Sequence, residues 1–517
     1  MSRPLRMGAA AAVISGSILL SRLLGLGREA LLAGLLGVNA EADLYKQAFT
    51  IPDLLSYLLA GAYLTITLIP ILSRHLEAGD LERANRAFTS VFRFVALGII
   101  LLTGLMWLLA EPIVAVAFPE AAQQSRLVDM TRLVLPAQIF LVVGALLMAV
   151  QYAHRRFFVP ALAPLIYNLG IIAGGLIGAA AGEPSPEAFL WGAVAGSAVG
   201  NFGVQWLGAR RTGTWFTRRL ADESYVGEYL LLALPLMIGQ SIAVLDEQFV
   251  RLFGQVEVGT TAALDFARRL NMVPIGVIAQ AAGVAAYPFL ARLAAKGESD
   301  ELAATTGRAA RNTVFVAAAA TSALVVLSRP LVRLIYQYGE FTAQDGELVA
   351  GLLAIYALSI PAWGLHQILA RHFYAKRKMW TPVLIGTIFA LLAIPTWLGL
   401  HALFGIEGFA LASSLTISAY AIGMTVAWGR DSGWSWVKQL APSIGRGTVA
   451  AVVAGLAGWP VVGALFGEGE TTVGSGLGSV FVGGLTVLAA FLVVSYLLKS
   501  PELSDMTRRR MRDPVDS

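Results

Sequence analysis

Arg22, Arg28, Lys46, Arg268, Arg269 and Arg371 lie inside long apolar runs, and Glu29, Asp43 and Asp265 are acids close to them in sequence. An arginine at a bilayer centre costs about 2.5–3.5 kcal/mol on insertion scales. Six such groups facing lipid would cost on the order of 15–20 kcal/mol, more than the roughly 5–15 kcal/mol of a typical fold. They therefore face a wet cavity or are paired. The chemistry open to such a set is anion binding, most naturally of a phosphate, because the guanidinium fork meets phosphate bidentately. The alternative is snorkelling to the interface or ion pairs between segments. Arg371, near the cytoplasmic end of its run, is expected to snorkel, and Lys46 fits either reading.

Spacing separates the groups. Arg22 and Glu29 are seven residues apart and share a helix face on which Gly25 also lies. Arg28 points about 120° away in a straight helix, so Gly25 and Gly27 are candidate hinge positions that bring it round. Lys46 follows Asp43 by three residues, an internal pairing option, and Asp265 clusters with Arg268 and Arg269. Asp246 and Glu247 are candidates for ion coupling or for capping a helix end. His366 reads as a packed polar residue.

The elements that must carry these residues are transmembrane helices. The chain has 517 residues, 57% hydrophobic and 14% charged, against about a quarter charged in soluble domains. About 20 apolar residues cross a bilayer, and unbroken runs such as FVALGIILLTGLMWLL lack the alternation of a β-barrel. The class is all-α polytopic membrane protein. With no cysteine, disulfides, thiol catalysis and thiolate metal sites are excluded. The five histidines form no metal-spaced pair with a carboxylate, and no GxxxxGK[ST] loop is present, which argues against an ATP-driven pump. No cofactor or metal is expected. The net charge of +5 reports membrane orientation rather than nucleic-acid binding. MSRPLRMGAAAAVISGSILL has the look of a signal peptide, but the apolar pattern resumes beyond Arg28, so it reads as the first span.

Cutting the apolar runs at charged or Gly/Pro-rich breaks gives fourteen spans, at 8–37, 44–73, 90–116, 131–153, 159–181, 188–209, 226–250, 259–291, 309–328, 346–372, 380–402, 405–428, 443–466 and 476–498. With Arg93, Arg132, Arg311 and Arg446 at the span ends counted with their adjoining loops, one side holds 27 Lys and Arg and the other 5, Arg251 among them, which leaves the six named above inside spans. The positive-inside rule places both termini in the cytoplasm. The segment RRTGTWFTRRLADESY at 210–225 reads either as an interfacial amphipathic helix or as a solvated basic loop. The polar, basic tail from Pro501 is expected to be unstructured and placed to touch anionic lipid.

The chain also repeats. IPILSRHLEAGD (69–80) aligns with YPFLARLAAKGE (287–298) at an offset of 218, and YAHRRFFVP (152–160) with YAKRKMWTP (374–382) at 222. Spans 1–6 and 7–12 are two copies of one six-helix lobe. An even number keeps both copies in the same orientation, the arrangement of parallel repeats that frame a central cavity and rock against each other. The expected domains are 1–220 (N-lobe), 221–430 (C-lobe) and 431–517 (spans 13 and 14 plus the tail).

The pattern SRLLGLGRE (21–29), Asp43, IPDLL (51–55), LIPIL (68–72), ARRLNMVPIGV (267–277), YQYGEFT before Asp345, and FYAKRKMWTP (373–382) resembles the MurJ (MviN) family, lipid II flippases of the multidrug/oligosaccharidyl-lipid/polysaccharide exporter superfamily. The resemblance covers nearly the whole chain. It implies a transporter rather than an enzyme, with a central cationic cavity and a groove at spans 13 and 14 for the undecaprenyl tail. It also implies alternating access that carries the head group of undecaprenyl-diphosphate-linked muropeptide (lipid II) outward across the bacterial inner membrane. Expected partners are lipid II, membrane lipids and cell-wall synthesis proteins. By position, Arg22, Arg28 and Arg269 match the family's cavity arginines, and Glu29 and Asp43 fall where the family has acids. Arg268 and Lys46 extend the cationic set, and Asp265, clustered with the arginines, joins Glu29 and Asp43 as a candidate gating acid. The chain departs from the family in span 2, where a basic pair and a following acid are replaced by Ser56, Tyr57 and Gly61. Arg268-Arg269 also stands where Asp-Arg is common, and span 11 lacks the acid or amide of a sodium site found in some relatives. The span 2 departure keeps a second reading open, transport of another polyprenyl-diphosphate sugar. A drug or cation antiporter of the same superfamily is a third.

Overall fold

A computed structural model describes the backbone of residues 7–59, 63–121, 123–217, 223–238, 241–466 and 473–509, and side chains for most of these. The helices are α1 (Met7–Leu36), α2 (Ala40–Ala48), α3 (Thr50–Leu59), α4 (Tyr63–Glu77), α5 (Leu81–Leu108), α6 (Ala110–Ala117), α7 (Gln124–Val134), α8 (Pro136–Ala153), α9 (Phe158–Ala180), α10 (Pro186–Gly196) and α11 (Val204–Arg210), the last two joined by a π-helical stretch, Ser197–Gly203. The chain continues through α12 (Glu223–Ile238), α13 (Ser241–Phe253), α14 (Thr260–Lys296), α15 (Ser299–Val326), α16 (Ser328–Tyr336), α17 (Ala343–Ala357), α18 (Ile360–Ala375), α19 (Trp380–Phe404), α20 (Ile406–Ser432), α21 (Trp434–Phe466), α22 (Val473–Leu497) and α23 (Pro501–Arg509).

Each expected span falls on a helix or on an interrupted one. Span 2 is interrupted at Phe49, between α2 and α3, and its residues 60–62 lie outside the described ones; span 10 is broken into α17 and α18, bent by 40° where Pro361 opens the second piece. Among the described residues eight helical stretches are long and apolar enough to cross a membrane, and the bent pair makes a ninth. Large apolar side chains face outward along them, Leu101, Leu108, Leu456 and Phe481 each more than 60% exposed. That is how a helix presents itself to lipid once its backbone bonds are satisfied internally.

The repeat is written into the backbone. The offset of 218 carries α5 onto α15 and Gly79 onto Gly297, both in the left-handed region at φ 72° and 75°. The offset of 222 carries the start of α9 onto that of α19, and Arg155 onto Arg377. These two arginines, at φ 55° and 58°, are among three described non-glycine residues with positive φ, a conformation that L side chains seldom adopt.

The chain divides into two compact units. The first comprises 1–240 with 254–262 and 338–341, and the second comprises 241–253, 263–337 and 342–517. In the first, Leu68, Phe88, Val91, Leu146 and Leu147 of α4, α5 and α8 form a core. Beside it α9 and α10 approach through glycines: a Cβ on Gly192 would lie 2.3 Å from the Gly170 carbonyl oxygen. Small residues allow such backbone approach in membranes. In the second unit Phe315, Ala450, Val487 and Phe491 join α15, α21 and α22.

Of the two readings of 210–225, the loop holds at residues 211–217, which are turn and irregular chain, while 218–222 lie outside the described residues; the tail is corrected. Trp215 and Phe216 fold back onto Trp206 and Phe92 with ring centroids 4.8 Å apart in each pair, and Arg93 donates to the Thr217 carbonyl. Edge-to-face aromatic contacts hold this connection. The tail from Pro501 continues as helix to Arg509, because Glu502 is buried against Ser443, which donates to its carboxylate.

Candidate anion site: two buried cation–carboxylate clusters

The first cluster lies in the first unit. Glu29 is 2% exposed, and its two carboxylate oxygens take Arg28 Nη2 at 2.5 Å and Lys46 Nζ. Arg28 Nη1 also donates to Asn168 Oδ1 of α9 at 3.2 Å, and Asn168 donates to the Pro164 carbonyl, which fixes its amide. Arg28 thus reaches its neighbours from an unbroken helix: α1 runs through Gly25 and Gly27 without interruption. Arg22 is exposed on the same helix. Lys46, 3% exposed, turns to Glu29, while Asp43 accepts the amides of Gly259 at 2.6 Å and Ala262 at 2.7 Å. Asp43 therefore caps the N-terminus of α14, where the helix dipole favours a negative charge.

The second cluster lies in the second unit. Glu247 of α13 is 13% exposed and binds three arginines, Arg251 at 2.8 Å, Arg268 at 3.3 Å and Arg269 at 3.5 Å. Asp265 Oδ2 lies 3.6 Å from Arg269 Nε, one turn away on α14. Arg251 and Arg268 are 4% and 7% exposed, but Arg269 is 36% exposed. The side chain of Asp246 lies outside the described residues. Among the described ion pairs the first cluster sets two cations against Glu29 and the second sets three against Glu247 and Asp265, an arrangement that attracts an added anion.

Sequence reasoning missed three participants. Arg251, which the span bounds leave in an outer loop, sits buried in α13 one turn from Glu247; the four-residue spacing is the signal in the sequence. Asn168 is 140 residues from Arg28 and gave no signal. Gln138 pairs with Ser56, so the span 2 departure is filled by a neutral hydrogen bond. The side chain of Tyr57, and Gly61, lie outside the described residues. Arg371 lies over the Tyr287 ring at 5.7 Å, and His366 is packed against Trp363 and Tyr420. A groove of about 430 Å³ in the second unit is lined by Ser322, Val326, Pro361, Ala451, Gly455 and Trp459, among others.

The fold is shared with solved transporters. An inward-facing multidrug-resistance MATE transporter of the MOP superfamily aligns at a TM-score of 0.64 and 15% identity, over 81% of this chain and 96% of that one. A lipid II flippase MurJ in an inward closed conformation aligns at 0.75 and 20% identity, over 94% and 99%. The chain therefore has the polytopic, all-helical fold that these solved transporters share. Relatives narrow the class. A probable lipid II flippase MurJ from Rhizobium tropici is 27% identical across 96% of this chain and 95% of its own length. The lipid II flippase MurJ of Burkholderia cenocepacia is 28% identical across 72% and 74%. The family model for lipid II flippase MurJ matches residues 32–462, and the chain belongs to the MurJ family.

Proposed function

We propose that this protein moves lipid II, the undecaprenyl-diphosphate-linked muropeptide, from the inner to the outer leaflet of the bacterial cytoplasmic membrane by alternating access. The observation that carries the reading is the family match across residues 32–462. The diphosphate is the anion that the two clusters are suited to bind. Arg22, Arg28 and Lys46, and Arg268 and Arg269, are the groups proposed to contact it during the cycle. Glu29 and Asp265 are proposed to exchange partners as the protein switches, and Asp43 to hold one conformer through the α14 amides. The undecaprenyl tail is assigned to the apolar groove beside α21. The working parts are 1–220, 221–430 and 431–517, with both termini cytoplasmic. Cell-wall synthesis proteins are the expected neighbours. The protein itself makes or breaks no bond, and the membrane potential is a candidate driving force. Membrane potential is worth about 2.3 kcal/mol per charge per 100 mV.

The test is rescue of cells depleted of their own lipid II flippase. Well-expressed wild-type protein is expected to restore growth and cell shape. Failure to do so, with restored export of a different polyprenyl-diphosphate sugar, would transfer the assignment to that substrate.

A further inference from the structure

The offset of 218 that relates the two halves carries Glu29 onto Glu247. The same offset lays α1 over α12 and α13. In each copy of the repeat, then, the first helical segment presents a buried carboxylate at the same position. Each carboxylate gathers a cation of its own helix and cations of a following helix: Arg28 and Lys46 of α2 for Glu29, Arg251 together with Arg268 and Arg269 of α14 for Glu247.

The distances around Glu247 are graded. Arg251, one turn along the same helix and 4% exposed, is held at 2.8 Å, a charge-assisted hydrogen bond of ordinary length. Arg268 and Arg269 lie at 3.3 and 3.5 Å, beyond that length. Arg269 is also the most exposed of the three. Glu247 Oε1 is shared between Arg251 and Arg269. One arginine thus anchors the acid while two others are held loosely on it. Removal of the loose pair by a competing anion leaves the carboxylate with a partner, so the exchange does not strand a buried charge.

We propose that Glu247, and Glu29 as its repeat counterpart, are built-in counter-anions that stand in for the diphosphate between transport events. The incoming diphosphate takes Arg268 and Arg269 from Glu247 by exchange, while Arg251 retains the acid. The carboxylate thereby weakens ground-state binding and drives release. Only groups that bind one state better than another speed a cycle, and a cation cluster with no competitor would hold its anion. This positioning and release role rests on the diphosphate reading of the site.

The experiment measures binding of inorganic pyrophosphate to the purified full-length protein by titration calorimetry. Binding is compared for wild type, Glu247→Gln, Glu247→Asp, Glu29→Gln, Arg268→Ala and Arg269→Ala. Glu247→Gln keeps shape and hydrogen bonding but removes the competing charge. It is expected to bind pyrophosphate about tenfold tighter, the scale of one charged hydrogen bond exchanged, and to lower transport in rescued cells. Glu247→Asp is expected to return affinity toward wild type. Glu29→Gln is expected to shift affinity in the same direction, so a folding defect in one Gln variant leaves the other to decide. If the arginine variants lose binding while both Gln variants bind equally or more weakly than wild type, the counter-anion role is overturned and the anion site stands. Binding that is absent from wild type, or indifferent to Arg268→Ala and Arg269→Ala, overturns the diphosphate reading and this role with it.

Discussion

Arg28 shows how a side chain buried in an apolar helix is made tolerable. Its guanidinium is divided between Glu29 and Asn168, so its charge has a carboxylate partner and both terminal nitrogens have acceptors. Arg28→Ala and Arg269→Ala are each expected to lose rescue of flippase-depleted cells at normal expression; growth with both at wild-type levels would remove the diphosphate role. A pH effect belongs at this scale too. His154, beyond the end of α8, contacts Thr214, and burial, aided by the Arg156 charge, holds its pKa below the ordinary 6.5. The unfolded chain therefore takes the proton first as pH falls. This contribution to stability is fully present above about pH 6.5 and is lost as pH falls from there through the lower pKa of the folded state. His154→Gln is expected to flatten this part of the pH–melting profile of the purified protein, whereas an unchanged slope would assign the loss to other groups. The composition and spacing of α1, α2 and α14 pointed to the cations and to Glu29, because a charge in an apolar run is conspicuous. Partners such as Asn168 and Gln138 come from distant helices and are ordinary polar residues in sequence, so only the packed structure reveals them.

Helices explain why the repeat was visible. Its signals sit where helices end, and ends have strict conformational needs: Gly79 and Gly297 both require the left-handed region. Arg155 and Arg377 occupy that same region, which their residue type would not suggest. Hydropathy located the spans but not their breaks, because the interruption at Leu358–Ser359 and the π-helical stretch of 197–203 leave composition unchanged. Aromatic residues beside arginines fit both an interface and a packed cluster, so the sequence around Trp215 and Phe216 leaves helix and loop open. Two glycine substitutions separate packing from permissiveness. Gly192→Ala would force a Cβ to 2.3 Å from a backbone oxygen, and overpacking of that kind costs about 1–3 kcal/mol. It is expected to lower the melting temperature in detergent. Gly27→Ala meets nothing within 4 Å and gains up to about 1 kcal/mol of helix propensity. It is expected to leave melting unchanged or raised. If it nonetheless abolishes rescue, the hinge expected at Gly25 and Gly27 is needed for the cycle and not for the fold.

At the scale of the whole molecule the decisive features are the imbalance of 27 basic residues against 5 and the transporter fold. The imbalance predicts a cytoplasmic C-terminus, so a C-terminal reporter that is active only in the cytoplasm should be on; a silent reporter on an expressed fusion would invert the topology. The fold is common to transporters with different cargo and does not choose among them. The family match and the buried cations make that choice. The most direct test uses cells whose own flippase is depleted and an added enzyme that cleaves lipid II but does not cross the membrane. Wild-type protein is expected to make lipid II accessible to cleavage from outside, and the Arg28→Ala, Arg269→Ala double variant, expressed to the same level, to leave it protected. Protection of lipid II in cells that carry the wild-type protein would contradict the account.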